Sequence, residues 1–138
     1  MMQNTFARIH KGLALFIGLG TWVQMFLAGI WHAGVVMTPE AHVFFGLALL
    51  LGSLLALIAA AAAKLPKPVI GRTAVLFVLI LAQPFLIEAR RNGLPLVSAF
   101  HTLNAAFVGM TAGAVLTMAR GGKQAEVEVT AVSVATGD

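Results

Sequence analysis

Metal chemistry in this chain would have to run through histidine. There are four, His10, His32, His42 and His101, and no cysteine. The lack of cysteine excludes thiolate ligands, Fe–S clusters, disulfides and thiol catalysis. What remains is imidazole, which suits haem iron, zinc and copper. The spacing says more than the number. Shifting the sequence by 59 positions lays Gln24 on Gln83, Gly34 on Gly93, His42 on His101, Gly46 on Ala105 and Lys64 on Lys123. Each half then carries a glutamine, a turn glycine and, at the same distance after the glutamine, a histidine with a small residue one helical turn beyond it. No Ser-His-Asp set, phosphate-binding loop or pair of interior carboxylates accompanies this pattern, so no catalytic residue is assigned.

Apolar helices have to hold these polar groups. The 138 residues are 59% hydrophobic and only 10% charged, where a soluble domain carries about a quarter charged residues. There is too little polar surface for a soluble fold, and the class is integral membrane protein. Charged residues divide the chain into four apolar runs, predicting spans over about 9–36, 40–63, 69–89 and 95–119. Each is compatible with the ~20 residues a helix needs to cross the bilayer. Thr38-Pro39-Glu40 reads as a helix start, with Thr38 as N-cap and Pro39 at the first helical position. Lys64–Pro68 and Arg91–Pro95 are short turns, so consecutive helices are antiparallel neighbours. The expected fold is all-α, an up-down-up-down four-helix membrane bundle made of two pseudo-repeated hairpins. Residues 1–120 form this one domain, and 121–138 is a small, polar segment expected to be a disordered cytoplasmic tail.

Orientation follows from lysine and arginine. Arg8, Lys11, Lys64, Lys67, Arg72, Arg120 and Lys123 gather at one face, and only Arg90 and Arg91 at the other. The positive-inside rule then puts both termini in the cytoplasm, as for a multi-pass protein of a bacterial inner membrane. The net charge of +4 is read as topology and contact with anionic lipid rather than nucleic-acid binding. A cleaved signal peptide is disfavoured, because it would leave an odd three-span bundle.

Two hairpins of equal orientation are related by an axis along the membrane normal. His42 and His101 then lie at equal depth, on the second and fourth helices, diagonally across the bundle. Polar side chains in apolar spans face the interior. Two opposed imidazoles at that position suit the axial positions of a b-type haem near the outer face. In this reading Gly46 and Ala105 make room beside the ligands, and Gln24, Gln83 and Asn104 line the site. His32, Arg90 and Arg91 stand toward the propionates. Two other readings remain. One is an interfacial histidine pair hydrogen-bonded to its neighbours, with no cofactor. The other is a Zn or Cu site of His32, His42, His101 and Glu88. Gln24 and Gln83 also fit interhelical hydrogen bonding, and His32 beside Trp31 fits an aromatic belt. Pro84 is expected to free a carbonyl and kink its helix. His10, between Arg8 and Lys11, is expected to be solvated or lipid-facing.

At Phe100–Gly109, "FHTLNAAFVG", the chain resembles a family of small bacterial four-span membrane proteins without an assigned activity. In that family a histidine ahead of a glycine opens span two, as in "HVFFG" here, and a Leu-His-x-x-Asn-Ala stretch opens span four. This chain has Phe100 for the leucine and keeps His101, Asn104 and Ala105. Gln83-Pro84 also fits, and the likeness runs from Arg8 to about Arg120. More loosely, the plan is similar to one half of haem A synthase, whose second and fourth helices each supply a haem-ligating histidine. That resemblance implies His42 and His101 as ligands. It does not imply oxidase activity, because the second half and the additional acidic group have no counterpart here.

The expected function is that of a small cytochrome b-like membrane protein, serving electron transfer or haem handling without catalytic activity of its own. Its candidate partners are membrane lipid, a redox protein or quinone, and a second copy of the chain. The alternative is a non-catalytic membrane module that packs against a larger complex or binds a small apolar ligand.

Overall fold

The structure, a computed structural model, describes the helices of residues 2–136 and the side chains of residues 2–120. Four helices account for it: α1 (Met2–His32), α2 (Glu40–Ala62), α3 (Lys67–Arg91) and α4 (Pro95–Thr136). All four are long and apolar enough to cross a membrane, α4 through its Pro95–Arg120 segment. The disordered tail expected over 121–138 lies outside the residues whose side chains are described.

The helix ends show why the chain turns where it does. After α1 the Gly34 N–H donates to Trp31 O and the Val35 N–H to Ile30 O. After α3 the Gly93 N–H donates to Arg90 O and the Leu94 N–H to Ala89 O. Both are Schellman closures, which satisfy carbonyls that a helix end would leave orphaned and need a left-handed residue at the first position past the cap. Gly34 and Gly93 supply it, with φ of 73° and 75°. They are also a pair in the 59-residue register, so the repeat is visible in the backbone. The α2 end closes the same way on Lys64, with φ of 52°. One expectation is corrected at the start of α2. Pro39 is the N-cap, Thr38 makes no capping bond, and the Val43 N–H is taken by Pro39 O. Proline fixes φ there without a side-chain cap.

α1 packs against α2 and α4, and α3 packs against the same two, so the helices form a square in chain order. The centre is filled by Ala14, Ile17, Ala56, Leu76, Ile80, Val108, Ala112 and Val115. With lipid as apolar as leucine, such helices associate through close packing, and small residues allow it. Leu49 and Phe45 lie against Gly20, and Phe16 lies against Gly52. Buried hydroxyls are absorbed by their own helices. Thr21, Ser53 and Thr73 donate to Ile17 O, Leu50 O and Val69 O, as a non-aqueous surround requires.

Candidate functional site

Among the described residues the diagonally opposed helices do not approach closely through their backbones, and two pairs of polar side chains meet across the diagonals. Near the turns after α1 and α3, α2 meets α4 through His42 and His101. Near the opposite end, α1 meets α3 through His10 and Thr73. His42 is in the first turn of α2 and His101 in the second turn of α4. Their ring centroids are 6.3 Å apart, with planes at 63°. Both rings are half-buried.

Each imidazole is held by the preceding helix of its own hairpin. His42 Nδ1 lies 3.2 Å from Gln24 O, and His101 Nδ1 lies 3.3 Å from Gln83 O. A carbonyl only accepts, so this bond needs the proton on Nδ1 and leaves Nε2 with a lone pair. Gln24 Nε2 donates to His42 O at 2.8 Å and approaches His42 Nε2 at 3.3 Å. Both contacts suit that tautomer. Gln83, in the amide orientation that satisfies both its ends, donates to His101 O at 3.2 Å and accepts from the Ala105 N–H at 3.3 Å. Its amide nitrogen donates to His101 Nδ1 at 2.9 Å, a bond that needs the ring proton on Nε2 and so excludes donation from Nδ1 to Gln83 O. His42 therefore has partners on both ring nitrogens, whereas the protein's hydrogen bonds to His101 converge on Nδ1. Among the buried side-chain nitrogens and oxygens of the described residues, one is orphaned. Gln24 Oε1 is buried and has no hydrogen-bond partner.

The other sequence candidates are placed less tightly. Asn104 is buried and donates to Leu79 O at 2.7 Å, tying α4 to α3. α3 continues through Pro84, whose missing N–H leaves the Ile80 carbonyl without its helical donor. Gly46 does not face open space. A Cβ there would lie 2.8 Å from Gln24 Nε2, so the glutamine amide fills the notch expected to be clear. His32 is exposed and stacked on Trp31 at 4.7 Å, outside the His42–His101 pair. Arg90 and Arg91 are exposed at the same end of the bundle, and Arg91 pairs with Glu88 at 3.1 Å. The Zn or Cu set of His32, His42, His101 and Glu88 is thus not assembled. Among the described residues no three histidines or carboxylates form a metal group.

His10 corrects an expectation. It is 1% exposed, and its Nε2 lies 3.1 Å from Thr73 Oγ1. Since the Thr73 hydroxyl donates to Val69 O, its oxygen accepts from His10 Nε2–H. Its charged neighbours Arg8 and Lys11 suggest water, but burial on α1 follows the helical period. His10, Ala14, Ile17 and Thr21 form one stripe of α1, and that stripe is its buried face.

No family model matches the chain, and neither does any characterised protein or solved structure. The functional reading rests on the site's own geometry.

Proposed function

We propose that this protein binds one haem b between α2 and α4, with His42 and His101 as axial ligands, and serves electron transfer or haem handling in a bacterial inner membrane. The observation that carries the reading is the separation of the two rings. A metal–imidazole bond of about 2 Å, plus the distance from nitrogen to ring centre, puts two opposed ligand rings ~6.4 Å apart. His42 and His101 stand at 6.3 Å. The main-chain bonds at Nδ1 support it, because a ligating histidine commonly donates its other ring N–H to a fixed acceptor that sets the tautomer. Two imidazoles are a donor set that haem iron accepts, and the Gln24 amide, 3.3 Å from His42 Nε2, would have to turn aside for that nitrogen to bind.

When bound, haem supplies a one-electron couple whose potential follows its axial ligands and surroundings. The chain's own residues do the positioning. Gln24 O and Gln83 O orient the imidazoles, and Asn104 holds α4 to α3 one turn below His101. Arg90 and Arg91 are exposed cations at the same end of the bundle, available to the propionates. The distribution of lysine and arginine supports cytoplasmic termini, which puts this end at the outer face, toward a redox partner or quinone.

The test is direct. Protein purified from haem-replete cells should show a Soret band in about one-to-one ratio to chain, and the double variant H42A/H101A should not. A colourless wild-type protein that stays colourless on reconstitution with haemin refutes the reading, and retention of full haem by the double variant refutes the ligand assignment.

A further inference from the structure

The outward side of α3 carries an apolar cleft with cations at one end. Thr73, Leu76 and Ile80 turn one face of α3 into the core, and the His10–Thr73 contact across the diagonal fixes that rotation. The opposite face holds a cleft of ≈ 250 Å³ lined by Ala74, Val75, Val78 and Leu79. Helical spacing puts Lys67 and Gly71 in line with Val75 and Val78, and Arg72 in line with Val75 and Leu79. A Cβ at Gly71 would meet nothing within 4 Å, so the way from the cations into the cleft is open. Lys67 and Arg72 are both exposed. With the rise of an α-helix, the cleft runs from ~3 to ~10 Å beyond Arg72 along the axis.

The charge at this entrance is of one sign. The acids among residues 2–120 are Glu40 and Glu88, and both lie at the other end of the bundle. Lys64, in the turn before α3, adds a third cation. It holds a left-handed φ of 52°, where the closures after α1 and α3 use glycine, so a lysine is kept there against backbone strain. A cleft at the depth of the hydrocarbon, with cations at its mouth, is complementary to a negative phosphate followed by an acyl chain. We infer that α3 binds an anionic phospholipid from the leaflet on the side of the N-terminus. Its phosphate stands between Lys67 and Arg72, and the first carbons of one acyl chain lie in the cleft. Free phosphate would leave the cleft empty, and a zwitterionic lipid brings its own cation to the two basic side chains. The site lies apart from His42 and His101 and does not depend on the haem reading.

Native mass spectrometry of the full-length chain released from detergent tests this, titrated with phosphatidylglycerol and separately with phosphatidylcholine. Circular dichroism confirms that each variant is folded. Wild type should bind one phosphatidylglycerol at least about fivefold more tightly than phosphatidylcholine. K67Q/R72Q should weaken phosphatidylglycerol by about 25-fold, about fivefold for each cation. R8Q/K11Q removes the same charge from α1, diagonally across the bundle, and should stay within about twofold. V78W fills the cleft at an exposed position and leaves the charge unchanged. It should weaken binding at least about fourfold, the worth of one buried methylene. Inorganic phosphate in excess should not displace the lipid. Equal losses in K67Q/R72Q and R8Q/K11Q overturn the inference, because charge anywhere at this end would then suffice. So does equal affinity for the two lipids, unchanged binding in V78W, or displacement by inorganic phosphate. A chain that self-associates through this face and takes up no lipid overturns it as well.

Discussion

Replacing Thr73 with valine removes one oxygen and almost no volume, in a place that is fully buried. The hydroxyl accepts from His10 Nε2–H at 3.1 Å, and the two residues are 0% and 1% exposed. Valine fills the same space, so no cavity adds to the cost. What is lost is the acceptor for the His10 donor. An unsatisfied buried donor costs about 1–3 kcal/mol. Interhelical hydrogen bonds in membranes average nearer ~0.6 kcal/mol, because the unfolded helices also find partners. For a pair this well buried we expect T73V to cost about 1–2 kcal/mol. H10L should cost less, because Thr73 keeps its bond to Val69 O at 2.8 Å and leucine suits the surrounding core. The double variant should be no worse than T73V alone, giving a coupling energy of about 1 kcal/mol. Helical circular dichroism followed through unfolding in mixed dodecylmaltoside and SDS micelles measures all four proteins. A coupling within about 0.3 kcal/mol of zero would mean that His10 does not bond across the diagonal.

Four further outcomes follow from the packing and the turns. G20V should destabilise the bundle by about 1–3 kcal/mol through overpacking, since even its Cβ would come within 2.5 Å of Leu49 Cδ2; the same micelle titration reads it. G34A and G93A should each cost about 1 kcal/mol through backbone strain alone, because φ is positive at both and nothing stands within 4 Å. N104L should cost about 1 kcal/mol by leaving Leu79 O without its 2.7 Å donor, and should raise hydrogen exchange at the α3–α4 contact. R91A should change stability by less than about 0.5 kcal/mol, because its ion pair with Glu88 is formed between side chains 79% and 53% exposed.

Much of the site is legible in residue types and their spacing. The 59-residue register pairs Gln24 with Gln83 and His42 with His101, and the folded chain returns the same approach in each hairpin, the histidine Nδ1 lying 3.2 and 3.3 Å from the glutamine carbonyl. Gly34 and Gly93 are legible for the same reason. A left-handed closure admits few residues other than glycine, so its position is written in residue type. His10 is not legible from its neighbours in sequence. Its charged flanks suggest water, whereas its burial is decided by which face of α1 turns inward, a property of the whole helix. Gly46 shows a different failure. Its smallness is evident, but a gap can be filled by any long side chain within reach, and only the packed bundle shows that Gln24 fills it.

Composition and periodic spacing by themselves determined the membrane class, the four helices, the glycine turns and the twofold plan, because each depends on local propensity or on apolar length against bilayer thickness. Tertiary structure alone decided three things. The diagonals are bridged at two levels, His10 is interior, and His42 and His101 differ in what covers their Nε2 atoms. Each is a contact between side chains on different helices, set by rotation and approach distances that no local pattern encodes.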